Sequence, residues 1–149
     1  RNLDIVPLLE LGLKETCDFF KGIPAQKERY AYAEQKWTIR EILLHLIDTE
    51  RIFSYRALRI ARNDKTNLPG FDENDFARYG KANKWTLQEL LEEFKTVRHA
   101  TLSLFKSFDA EDLTKSGMAS NSEITVRAIG CILAGHVIHH ERIIKERYL

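Results

Sequence analysis

The chain has 149 residues, with 23 Lys and Arg against 22 Asp and Glu and a formal charge of +1. At 44% hydrophobic and 30% charged residues, it has the composition of a folded globular protein rather than a disordered one, long enough to bury a core and to make one domain over residues 1–149. Balanced charge and the lack of any apolar run near ~20 residues argue against nucleic acid or membrane as partners.

Nothing at the start reads as a secretory signal, and the only two cysteines, Cys17 and Cys131, sit in apolar helical contexts as structural thiols. A cytoplasmic protein is expected. The sequence begins at Arg1 without a methionine, so a short upstream segment is expected as well.

The first helix is predicted from Leu3 to about Phe20, with Leu9, Leu13, Thr16, Cys17 and Phe20 as its inner stripe. Lys21-Gly22-Ile23-Pro24 breaks it, and residues 24–36 form a connection carrying Tyr30 and Tyr32. Thr38-Ile39-Arg40-Glu41 is a capping box that opens the second helix, preceded by Trp37. Ile39, Ile42, Leu43, Leu46, Phe53, Ala57 and Ile60 carry that helix to about Arg62, with His45 on the flank shared by Thr49 and Ile52.

Asn63-Asp64 and Leu68-Pro69-Gly70-Phe71 mark a loop, and Asp72–Tyr79 reads as a short helix lying across the others. A second capping box, Thr86-Leu87-Gln88-Glu89, starts a helix with Leu87, Leu90, Leu91, Phe94, Val97, Thr101, Leu104 and Phe108 as its stripe. Residues 109–121 are polar, a connection with one extra turn. Thr125 then caps the last helix, which runs to about Tyr148. Four long amphipathic helices without a convincing strand predict an all-α four-helix bundle, and its long loops leave room for crossover connections.

The last helix carries Gly135-His136-Val137-Ile138-His139-His140-Glu141, with three of the chain's five histidines. Its apolar stripe reads Ile129, Leu133, His136, His140, then Ile143 or Ile144, so two imidazoles stand where Leu or Ile is expected. Residues four apart on a helix lie roughly 5–6 Å apart at Cβ, close enough to share one ion. His136 and His139 form an alternative pair, although His139 is rotated about 60° back from His136. His45 is the candidate third ligand, and His99 lies off its stripe and is expected to be solvated.

Asp48, one turn after His45, and Glu141, next to His140, are candidates to orient an imidazole or to move a proton, with ordinary surface acids as the plain alternative. His139 is placed beside the site, as a further candidate to move a proton. Three histidines without a fourth protein ligand leave open positions, as catalytic ions require, and nitrogen donors suit Zn, Ni, Fe or Cu. Arg51, Arg56, Arg59 and Arg62 recur along the second helix as a solvated basic face or as an anion-binding rim. A Gly-rich phosphate loop, G-x-S-x-G, H-E-x-x-H and Cys-x-x-Cys are all absent.

Lys36-Trp37-Thr38-Ile39-Arg40-Glu41 leading into His45-Leu46-Ile47-Asp48-Thr49-Glu50-Arg51, then Tyr55 to Arg62, Leu68-Pro69-Gly70-Phe71-Asp72, Ala134 to His140 and the closing Lys145-Glu146-Arg147-Tyr148-Leu149 resemble the DinB superfamily and its YfiT-like branch over nearly the whole chain. The family pattern, one histidine on the second helix and two, four apart, on the fourth, falls here on His45, His136 and His140. The resemblance implies a crossover four-helix bundle and one divalent ion, Zn or Ni first and Fe or Mn as alternatives. It also implies a small-molecule substrate, a low-molecular-weight thiol such as bacillithiol or mycothiol as co-substrate, and a homodimer.

The expected activity is therefore thiol transfer to an electrophile, with Arg56 or Arg59 holding an anionic part of the thiol. Hydrolysis by hydroxide formed at the ion, and a non-catalytic metal- or ligand-binding stress protein, are the alternatives.

Overall fold

In the computed structural model, which describes residues 4–149, four long helices make the body: α1 (Ile5–Lys21), α2 (Ile39–Ala61), α4 (Leu87–Lys106) and α6 (Val126–Arg147). Two short helices, α3 (Glu73–Gly80) and α5 (Ala110–Thr114), lie between them. The expected start of the first helix at Leu3 falls outside the described residues.

Both predicted capping boxes form. Glu41 N–H donates to Thr38 Oγ1 at 3.1 Å while Thr38 N–H donates to Glu41 Oε1 at 2.8 Å. The Thr86–Glu89 pair does the same at 3.0 and 2.9 Å. Each box satisfies two amides that a helix start leaves without a partner, which fixes where α2 and α4 begin.

Helices adjacent in sequence are not always adjacent in space. α1 packs against α4 and α6, and α2 packs against the same two. Consecutive α1 and α2 therefore stand diagonally across the bundle, as do α4 and α6. This crossover brings α2, which carries His45, against α6, which carries His136 and His140.

The all-α expectation is corrected by a small three-stranded sheet. β1 (Asn67–Leu68) runs parallel to β2 (Ser116–Ala119), which pairs antiparallel with β3 (Ser122–Thr125). The β2–β3 tip is Ser120-Asn121, with φ of 51° and 64°, the twin positive values of a tight hairpin turn. The sheet fastens onto the late part of α2. A Cβ at Gly117 would stand 2.7 Å from Ile60 Cγ1, and Lys115 Nζ donates to the Ala61 carbonyl at 3.0 Å. The extra turn expected in residues 109–121 is α5; the strands beside it are too short and polar to show alternation.

Buried side chains form two apolar clusters along the bundle. One gathers Phe20, Ile39, Leu43, Phe94 and Ile144, the other Leu9, Ile60, Phe105, Ile129 and Leu133. Between their contributions from α2 and α4 lie Glu50 and Arg98, 2% and 0% exposed. The carboxylate accepts from Arg98 Nε and Nη2, both at 2.7 Å, and Nη1 reaches the Leu9 carbonyl at 3.0 Å. In α6 the buried line runs Ile129, Leu133, Val137, Ile144, so the expected stripe through His136 and His140 is corrected by one residue. Both histidines stand half-buried on its flank.

Candidate metal centre

The capping box starts α2 so that His45 falls in its second turn, pointing inward and 5% exposed. Trp37, just before the cap, lays its ring 4.7 Å from the His45 ring, and Thr49 Oγ1 stands 3.5 Å from His45 Nδ1. On α6, whose start Thr125 caps through the Ala128 amide at 3.0 Å, His136 and His140 follow one turn apart on the flank that meets α2. The three rings sit mutually edge-on, with centroids 4.7–5.0 Å apart.

Their Nε2 atoms converge. His45 Nε2 lies 3.0 Å from His136 Nε2, which lies 3.1 Å from His140 Nε2. A ring nitrogen carries either one N–H or one lone pair, so His136 Nε2 can make only one of these two contacts as a hydrogen bond. Burial pushes all three imidazoles down to about 4, with their mutual repulsion adding to the effect, so each is neutral at pH 7. A neutral imidazole offers a lone pair to a cation. Two nitrogens about 2.0–2.1 Å from a shared ion stand about 2.9–3.4 Å apart for right-angle to tetrahedral geometry, and the observed spacings lie in that range. The donor set fits a divalent ion such as Zn or Ni.

Among the described residues, His45, His136 and His140 are the one group of three or more His, Cys, Asp and Glu side chains whose donor atoms gather to within 4.8 Å. The other candidates are placed differently. His139 is exposed, its ring 5.0 Å from that of His140, and His99 is exposed on α4. Asp48 is half-buried on α2, and desolvation raises its carboxyl above the usual range. Glu141 turns toward α1, where it accepts from Thr16 Oγ1 at 3.3 Å, and burial raises it also.

Arg56 is buried and donates to the Pro69 carbonyl at 2.8 Å, holding the loop between β1 and α3. Arg59 is paired with Asp64 and donates to Tyr55 Oη at 2.8 Å. Eleven and fourteen residues beyond His45 in one helix, they stand about 16 and 21 Å along its axis from the triad. Both side chains thus have partners within the protein.

His140 opens onto a cleft of about 320 Å³ lined also by Tyr32, Lys36, Trp37, Asn74 and Tyr148. Tyr148 is buried, donates its hydroxyl to the Trp37 carbonyl and receives the edges of Tyr30 and Tyr32 at 5.9 and 5.2 Å. Sequence reading missed this aromatic wall. Its one visible signal was an aromatic residue directly before a capping box, and Tyr148 meets Trp37 only through the tertiary fold.

No curated protein matches the chain. Among solved structures it is similar to YfiT from Bacillus subtilis, a probable metal-dependent hydrolase with an unusual four-helix bundle topology, at a TM-score of 0.81 and 15% identity over 95% of this chain and 82% of that one. It is also similar to a mycothiol-dependent maleylpyruvate isomerase, at a TM-score of 0.76 and 10% identity over 94% of this chain, which spans 60% of the isomerase. At these identities the likeness is one of fold. The sequence itself matches the family model of the DinB superfamily across residues 8–144, from the second turn of α1 almost to the end of α6, and the chain belongs to that superfamily.

Proposed function

We propose that this protein is a metal-dependent enzyme that transfers a low-molecular-weight thiol to an electrophilic small molecule, with His45, His136 and His140 holding one divalent ion. The observation that carries this reading is the convergence of three neutral imidazole nitrogens from two helices beside an open cleft. When bound, the ion would favour the ionised form of a thiol.

The protein's own residues do the rest. Three neutral ligands bring no negative charge, so the site keeps a preference for an anionic fourth partner. Trp37 and Tyr148 wall the cleft and limit water at the reacting sulfur. Asp48, three residues after His45 and shifted upward by desolvation, is the proposed acceptor of the thiol proton. The sulfur then forms the new bond to the electrophile's carbon as the leaving group departs with its electron pair.

Hydrolysis of an ester or amide is the second reading, supported by the likeness to the B. subtilis hydrolase fold. Of its acid/base candidates, Glu141 faces α1 and His139 faces solvent, which leaves it the same Asp48. The experiment runs in two steps. Elemental analysis of the purified protein is expected to find one divalent ion per chain, absent from the His136→Ala/His140→Ala variant. The loaded protein is then given an aryl halide with several thiols, and a nitrophenyl ester without thiol. Thiol-dependent turnover supports transfer, thiol-independent ester cleavage supports hydrolysis, and a protein that takes up no metal overturns both.

A further inference from the structure

The cleft beside the triad has an uneven charge. Of the residues lining the part that His140 enters, Lys36 is the one charged side chain. A second cation stands behind it. Arg147 donates to Tyr32 Oη at 3.0 Å, and its guanidinium lies 5.5 Å from the centre of the Tyr32 ring, while Lys36 Nζ approaches the same ring at 5.9 Å.

Neither cation forms an ion pair with a carboxylate among the described residues. The nearby acids of the outer cleft are already engaged. Glu41 closes the α2 capping box, and Asp75 pairs with Arg78. Two like charges thus face one phenol ring without a carboxylate in direct contact, an arrangement that an anion bound between them relieves. Gln35, just before Lys36 on the cleft wall, holds a left-handed φ of 63°, and both residues line the opening. Trp37, Ile42, Ile143 and Tyr148 give the same cleft its apolar lining.

We propose that Lys36 and Arg147 form an anion-binding rim that takes the carboxylate of a small organic acid, with the acid's flat apolar part against Trp37 and Tyr148. This rests on the proposed function only for the use made of the bound acid: it names the substrate class of the same cleft, a carboxylate-bearing apolar molecule. The rim itself exists whether or not an ion is held.

Benzoate and its neutral counterpart benzamide are the probes, titrated calorimetrically into zinc-loaded and chelator-treated protein, with zinc content measured in parallel. Benzoate is expected to bind about ten-fold or more tightly than benzamide in both forms, the scale of one charge-assisted contact. Lys36→Met/Arg147→Met should bring the two ligands to equal affinity, and Lys36→Arg should keep the preference. Equal binding by the unaltered protein overturns the rim, as does a preference that survives the double substitution. A preference found only with zinc present also overturns it, since the carboxylate would then be reading the ion. Failure to take up zinc, with the benzoate preference intact, removes the metal-dependent function and leaves the rim standing.

Discussion

Helix α2 carries two buried polar centres five residues apart, and they are built on opposite principles. At Glu50 every strong bond is made inside the protein: a two-pronged guanidinium from Arg98, whose third nitrogen reaches the Leu9 carbonyl and whose plane lies 5.2 Å from the Phe94 ring. Even the space is reserved, since a Cβ on Gly12 would stand 2.9 Å from Arg98 Nη1. At His45 three neutral rings crowd their lone pairs together and leave contacts that hydrogen bonds alone cannot satisfy. A closed polar centre serves architecture. An open one is a place for something that is not protein.

Breaking each centre should therefore have different consequences. The largest effect is expected from Glu50→Ala, which strands a fully buried guanidinium and should cost about 3–5 kcal/mol in denaturant unfolding. A loss below about 1 kcal/mol would show that the pair is wetter than its burial indicates.

The triad should respond to ligand instead. Zinc at a hundred times its dissociation constant should add about 2.7 kcal/mol to the stability of the unaltered protein. It should add nothing to His136→Ala/His140→Ala, and equal stabilisation of both would place the ion elsewhere.

Acid sharpens the contrast. Unfolded imidazoles titrate near 6.5 and the folded three near 4, so between those values the unfolded chain binds more protons. The triad's contribution to metal-free stability is fully present above pH 6.5 and is lost as pH falls through 4. Thermal melts across this range should show a steeper decline for the unaltered protein than for the double variant, and parallel curves would mean that the rings are not held neutral.

The smallest effect is expected at the edge of the closed centre. Gly12→Ala pushes a methyl toward Arg98, and displacement of the guanidinium, partly offset by the better helix propensity of alanine, should leave a net cost of about 1–2 kcal/mol. A neutral result would mean that the arginine has slack.

These two centres were not equally legible in the sequence. Histidines four apart on an apolar helix are conspicuous because the side chain is out of character there, and the capping boxes fixed the start of α2 well enough to put His45 on an inner flank. The apolar line was misjudged by one position, because Ile129 and Leu133 are followed at helical spacing equally well by His136 and by Val137. Arg98 was invisible: a charged residue beside Val97 on an amphipathic helix is ordinarily solvated, and only the tertiary meeting of α1, α2 and α4 buries it. Arg56 and Arg59 were visible as a basic run, but their contacts with Pro69 and Asp64 are ones that a helix pattern does not reveal. The sheet left little trace because its longer strands have four residues each.

The crossover of the helices also has a consequence in time. His45 meets His136 across 91 residues of chain, and closing a loop of that length costs about 4 kcal/mol of entropy before any contact offsets it. The donor set is therefore incomplete until the last long helix has docked, and a ribosome holding back that helix holds back the site with it. A growing chain offers a passing ion one imidazole on α2 and no cage. Uptake of an ion by these three nitrogens would then be a late event, one that reports whether the fold has been finished.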